Sequence, residues 1–200
     1  MGAYSPAPVV TPDIHAQVMR EIIRPTVKGL AAEGIRYTGF LYAGLMIRKR
    51  EDGTSDVRTL EFNCRMGDPE TQPIMMRIKN DFSEIVEAAI EGRLDQVEID
   101  WDRRSALGIV AAARGYPMKP EKGAVIEQLP ENSEEVHVFH AGTKIDDDGL
   151  TVVSGGRVLC VVGLGESIAK AQKTAYEAMK SVHFDGMQMR SDIGYRAIGR

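Results

Sequence analysis

A chain of 200 residues, 43% hydrophobic and 27% charged, is long enough to bury a real core and has an ordinary globular composition. Its formal net charge of -4 argues against a nucleic-acid partner, since such binders concentrate basic side chains on one face. No apolar run is long enough to span a bilayer, and MGAYSPAPVV has no basic segment leading into an apolar one. Neither a membrane partner nor a signal peptide is therefore expected, and the expected location is the cytoplasm. The two cysteines, Cys64 and Cys160, lie far apart without CxxC spacing. Free thiols are expected rather than a zinc site or a disulfide framework.

Residues 1–12 contain three prolines and read as an extended loop. Asp13 is a candidate N-cap for a helix carrying Ile14, Val18 and Ile22, with a kink or fresh start at Pro25 and a stop at Gly34. YTGFLYAGLMIR (37–48) is apolar enough for a buried strand, EDGTSD (51–56) is turn chemistry, and VRTLEFN (57–63) is the returning strand of an antiparallel hairpin. Strict alternation in that strand buries Leu60 and Phe62 and turns Thr59, Glu61 and Asn63 to the other face. Residues 81–92 make an amphipathic helix: Asp81 and Glu84 form a capping pair, Phe82, Ile85, Val86, Ala89 and Ile90 form the stripe, and Gly92 ends it. WDRRS (101–105) marks a boundary. Beyond it come ALGIVAAA (106–113) and short strands near 124–128, 135–140, 150–153 and 157–163, a β-rich pattern. A helix over about 166–182 follows, with Ile168, Ala171, Ala175, Ala178 and Val182 inward.

The chemistry concentrates at LEFNCRMGDPE (60–70). Glu61 and Asn63 put a carboxylate and an amide oxygen on one strand face, with Cα atoms about 6.5 Å apart. Such oxygens suit a hard cation shared with phosphates. Arg65 follows at the strand end, with the forked geometry that suits phosphate or carboxylate. Gly67, Asp68 and Pro69 force a turn, and Glu70 extends the acidic cluster. An isolated Glu-x-Asn pair is more often a solvated edge strand, and the crowding of turn and charged residues weakens that reading. SGGRVL (154–159) reads as a tight turn before a buried strand. GLGES (163–167) reads as a strand-to-helix turn capped near Glu166 or Ser167, since it lacks the third glycine of a dinucleotide loop. His137 and His140 face opposite sides of a strand and do not share a metal.

The ordered set GAYSPAP, YTGFLYAGLM, LEFNCRMGDPETQP, GYP (115–117), HAGT (140–143), GGRVL (155–159) and DIGYRAI (192–198) resembles the C-terminal part of the phosphoribosylamine–glycine ligases, the purine-pathway members of the ATP-grasp enzymes. The resemblance implies an α+β chain. Residues 1–104 would be the C-terminal half of an ATP-grasp module, an antiparallel sheet with helices, and 105–200 a small β-rich C-terminal domain. It implies ATP-dependent joining of glycine to 5-phosphoribosylamine through glycyl phosphate. Glu61 and Asn63 would hold Mg²⁺ or Mn²⁺ against the ATP phosphates, and Arg65 would steady the transferring group. Gly67, Asp68, Pro69 and Glu70 would line the glycine and phosphoribosyl site, and Gly2, Ala3, Tyr4 and Ser5 would help enclose the sugar phosphate. The N-terminal half of such a ligase, which carries the lid over ATP, has no counterpart in these residues. A fragment is therefore expected, either associating with that half or with itself. The alternative is a non-catalytic remnant that binds a ligand or partner. A biotin-dependent carboxylase subunit is a more distant possibility, since it is not expected to carry GDPETQ with GGRVL and DIGYRAI.

Overall fold

The computed structural model describes residues 1–198; the last two positions of the expected 105–200 domain lie outside the described residues. The chain forms two compact units that do not follow chain order. One gathers Met1–Pro6, Asp68–Lys79 and the described residues from Asp100 to Ile198; the other holds Ala7–Gly67 and Asn80–Ile99.

The first unit is built on a four-stranded antiparallel sheet. In chain order its strands are β1 (Gly2–Ser5), β4 (Ser105–Ala112), β5 (Val136–His140) and β8 (Arg157–Gly165), and their order across the sheet is β1-β4-β8-β5. Residues 2–5, expected in a loop, are thus an edge strand, with Gly2 opposite Ile109 and Ser5 opposite Ala106. Every residue of β4 is buried because both faces of the sheet are covered. On one face Leu107, Ile109, Ala111, Leu159 and Val161 pack against α5 (Ile168–Met179), which presents Ile168, Ala171, Ala175 and Met179 at helical spacing. On the other, Ala106, Val110, Cys160, Val162 and Leu164 meet Met76 and Phe139.

The GLGES segment serves this packing. A Cβ on Gly163 would lie 2.5 Å from the amide nitrogen of Ala175, and one on Gly165 would lie 2.5 Å from that of Ala171, so only glycine lets helix and strand approach so closely. Ser167 then caps α5, accepting from the Lys170 amide at 3.3 Å. A small hairpin, β6 (Thr143–Ile145) with β7 (Thr151–Val153), completes the unit. Residues 124–128 make only isolated bridges, Val125 to Val152 and Gln128 to His183, rather than the expected strand. One short helix, α3 (Thr71–Met75), also belongs here, with Pro73 buried.

The second unit begins with α1 (Pro12–Val18), capped by Thr11 rather than by Asp13. A π-helical stretch (Met19–Ile23) leads into α2 (Arg24–Ala32), with Pro25 in its first turn, where its missing N–H costs nothing. The hairpin is β2 (Tyr42–Lys49) with β3 (Ser55–Asn63). The helix α4 (Phe82–Glu91) is capped by Asp81, which accepts from the Ser83 amide at 2.9 Å, and ends on Gly92 at φ 73°. Ile85 and Ala88 are its buried positions, while Ile90, placed in the stripe by periodicity, is 70% exposed. Leu60 and Phe62 also depart from expectation, being 64% and 42% exposed. The reason is that β2 and β3 form a sheet of only two strands, and alternation assigns residues to faces without supplying anything to cover one. Among the described residues, no helix is long and apolar enough to cross a membrane.

Candidate functional site

The hairpin builds the acidic face. Its register changes between Gly44, opposite Glu61, and Leu45, opposite Thr59, leaving Leu60 as the extra residue of a β-bulge. The bulge breaks the continuity expected between Thr59 and Glu61, but the alternation from Glu61 to Asn63 survives. Asn63 Nδ2 donates to Glu61 Oε1 at 3.1 Å, so the two head groups share one place on the surface. Gly44 gives Glu61 room: a Cβ on Gly44 would approach Glu61 Cγ to 3.1 Å. An exposed carboxylate and an amide side by side form an all-oxygen donor set once the amide turns its carbonyl inward, which fits a hard divalent cation. Among the described residues there is no group of three or more His, Cys, Asp or Glu side chains able to enclose a metal. A cation here would complete its shell with phosphate oxygens and water. Arg65 is exposed just past β3, with Nη1 donating to the Met66 carbonyl at 2.8 Å, and Gly67 is buried.

The other expected substrate residues belong to the first unit. Gly2, Ala3, Tyr4 and Ser5 are held straight by β1. A Cβ on Gly2 would fall 2.4 Å from the Gly108 carbonyl oxygen and 2.7 Å from Ile193 Cγ2. Ser5 is tied to Arg77, whose Nη1 donates to its hydroxyl at 2.8 Å. The same guanidinium donates to the carbonyls of Asp102 (3.2 and 3.1 Å) and Arg104 (3.0 Å) and lies 5.5 Å from the Trp101 ring centre. Burial holds the Arg77 guanidinium below its ordinary pKa, with the nearby Asp102 charge acting in the opposite sense. Asp68 Oδ2 pairs with Arg157 Nη2 at 2.7 Å, Pro69 is buried, and Glu70 occupies the N-cap position of α3.

The expected residues therefore fall into three groups: the Glu61–Asn63 pair with Arg65 and Gly67, the β1 segment, and the run from Asp68 to Glu70. Sequence reasoning missed Gly44 and Arg77. Glycine within the apolar 37–48 run was the available signal for the first. Arg77 is held mainly by backbone carbonyls and left no pattern.

The mixed helices and antiparallel sheets place the chain in the ATP-grasp class of folds. A biotin carboxylase domain of the 2-oxoglutarate carboxylase from Hydrogenobacter thermophilus superposes with a TM-score of 0.62 at 14% identity, covering 94% of this chain and 40% of that one. Two family models match in order: the ATP-grasp (A) domain of phosphoribosylglycinamide synthetase over residues 1–71 and its C domain over 106–196. The phosphoribosylamine–glycine ligase of Ralstonia nicotianae is 60% identical over 200 residues, all of this chain and 46% of the relative. The crystal structure of the Thermotoga maritima ligase matches with a TM-score of 0.81 at 39% identity, covering 96% of this chain and 46% of that one. The chain belongs to the phosphoribosylamine–glycine ligase family and spans a little under half the length of these relatives.

Proposed function

We propose that this chain contributes to the ATP-dependent ligation of glycine to 5-phosphoribosylamine, as the C-terminal part of a longer ligase polypeptide. Residues 1–104 are read as the second half of the ATP-grasp module and 105–200 as the β-rich C-terminal domain, a division supported by the ranges of the two family models. The glycine carboxylate takes the γ-phosphoryl group of ATP, releasing ADP and giving glycyl phosphate. The amine of phosphoribosylamine attacks the acyl carbon, the C–O bond to phosphate breaks, and the amine loses a proton, giving glycinamide ribonucleotide and inorganic phosphate.

The observation that carries this reading is the Glu61–Asn63 pair on one face of β3. These two side chains would hold Mg²⁺ or Mn²⁺, and the bound ion would offset charge on the ATP phosphates. Arg65, exposed at the strand end, offers forked donors to a phosphoryl or acyl phosphate group. Gly2, Ala3, Tyr4 and Ser5 present a straight, fixed segment to the sugar phosphate. Gly67, Asp68, Pro69 and Glu70 form the turn beside glycine and the ribosyl amine. The reaction belongs to de novo purine biosynthesis and to the cytoplasm, with small molecules as partners.

The test is Glu61→Ala in the complete ligase, assayed for glycine- and phosphoribosylamine-dependent ADP release. Phosphoryl transfer depends chiefly on positioning and charge stabilisation, so turnover should fall by at least roughly a thousandfold. Ordinary turnover at saturating Mg²⁺ overturns the assignment. The 200-residue chain assayed alone and then with the N-terminal half added in trans separates a split enzyme from a remnant without catalysis.

A further inference from the structure

Three sequence motifs have no part in the chemistry above: GYP at 115–117, HAGT at 140–143 and GGR at 155–157. In the structure they meet at one junction. The Gly142 amide donates to the Arg157 carbonyl at 2.8 Å, and the Gly142 carbonyl accepts from Ser154 at 2.7 Å and Gly155 at 3.1 Å. A Cβ on Gly142 would lie 2.6 Å from the Arg157 carbonyl oxygen and 2.7 Å from Gly155 Cα. Gly156 fits under Tyr116 and Pro120, where a Cβ would lie 2.6 and 2.9 Å from their side chains, and its carbonyl accepts from Ala113 at 2.9 Å. A side chain at Gly142 or Gly156 has no room, and the backbone of residues 155–157 is packed and hydrogen-bonded at the point where the β4–β8 register shifts opposite Arg157.

What the junction holds out is the Arg157 guanidinium. Its Nη2 meets Asp68 Oδ2 at 2.7 Å, and its Nη1 lies 3.7 Å from Met1 Sδ. It thus stands between the turn that starts at Asp68, read as substrate-lining, and Met1, which precedes the Gly2–Ser5 segment read in the same way. The two side chains keep 35% and 43% of their surface exposed, a range in which an ion pair adds little to stability. The sheet beneath is buried on both faces and does not need the pair. Its consequence is geometric: an exposed carboxylate at the start of a turn is paired with an arginine whose own backbone is hydrogen-bonded and closely packed.

We propose that Arg157 is a positioning residue that fixes Asp68, and with it the turn ahead of buried Pro69, in the orientation that receives the substrate. The kinetic part rests on the ligase reading above; the structural part does not.

The experiment compares Arg157→Gln, Arg157→Lys and the exchange pair Arg157→Asp with Asp68→Arg. In the 200-residue chain, amide hydrogen exchange is followed at Asp68, Glu70 and Thr71 against the β4 and β8 amides. Arg157→Gln should speed exchange in the turn by roughly two- to fivefold, the range a half-exposed ion pair supports, and leave β4 and β8 unchanged. In the complete ligase the same change should raise KM for glycine or phosphoribosylamine by roughly the same two- to fivefold while kcat stays within about twofold. Arg157→Lys should fall between, and the exchange pair should restore the protection of the turn to hydrogen exchange but not the KM, because it removes the Asp68 carboxylate that faces the substrate. Unchanged exchange in the turn overturns the proposal whatever the kinetics do. Faster exchange throughout β4 and β8 also overturns it, because Arg157 is then merely structural. A wild-type ligase that fails to ligate defeats the functional reading alone, and the exchange data still decide the role of Arg157.

Discussion

Gly44 stands directly across the hairpin from Glu61, and the space its missing side chain leaves is filled by the glutamate stem. Gly44→Val should therefore push the Glu61 carboxylate away from Asn63 without harming the strand, since β-branched residues suit a pleated surface. The expected result is a roughly tenfold loss of Mn²⁺ affinity in the ATP-loaded ligase, of the order seen when residues supporting metal ligands are changed. A Mn²⁺ titration followed by electron paramagnetic resonance reads this directly, and the urea midpoint of the isolated chain should hardly move.

Gly163→Ala acts on the core instead. The added methyl would sit 2.5 Å from the Ala175 nitrogen and 2.8 Å from the Ala171 carbonyl, so α5 must shift off the sheet. Overpacking of this kind costs about 1–3 kcal/mol, which urea unfolding followed by circular dichroism will register. Glu61 and Asn63 lie in the other compact unit, so Mn²⁺ affinity should stay at the wild-type level.

Tyr176 holds the DIGYRAI segment. Its hydroxyl donates to the Arg190 carbonyl at 2.8 Å and accepts from the Ile193 amide at 3.0 Å, while Gln172 Nε2 donates to the Ile193 carbonyl at 2.7 Å. Tyr176→Phe removes the first two bonds and keeps the ring packing. A loss of about 1–2 kcal/mol is expected, with faster hydrogen exchange at Ile193 while the β8 amides keep their protection.

Cys160 and Cys64 should behave oppositely toward thiol reagents. Cys64 is exposed, whereas burial, reinforced by the negative charge of Asp68, pushes the Cys160 thiol up to about 12 from 9.0. A disulfide reagent at pH 8 should modify Cys64 quickly and reach Cys160 only after unfolding. The sign of the linkage follows. The folded state holds the Cys160 proton more tightly than the unfolded state, so this contribution is complete below pH 9 and is lost as pH climbs from 9 toward 12. Cys160→Ala should flatten the decline in stability between pH 9 and about 10.5 relative to the parent chain.

Local chemistry made part of this molecule legible. Asp81 and Gly92 bracket α4 because caps act within a few residues, and Ser167 announced α5 in the same way. The Glu61–Asn63 pair followed from the two-residue period of a strand. What stayed hidden depends on distant partners. GAYS carries no strand pattern, and it becomes β1 only because β4, about a hundred residues later, offers an edge. Leu60 and Phe62 looked like core because their spacing is that of a half-buried strand, yet the two-stranded hairpin leaves them exposed. The bulge at Leu60 has no marker residue, and the ion pair of Asp68 with Arg157 joins positions that no local rule connects. The glycines of HAGT and GGR were visible, but their reason, two backbone segments pressed together, was not.

The pairing of β1 with β4 sets a condition on anyone dissecting this chain. Scissors placed near residue 104 would detach Gly2–Ser5 from a sheet otherwise made of later residues, stripping one rim of β4 and opening the close fit of Gly2 beside Gly108 and Ile193. The excised piece would be sticky along that rim. A short synthetic peptide beginning MGAYSP should restore it by slotting in as a donated strand, so the practical joint of this protein is a clasp between its first few residues and its later half.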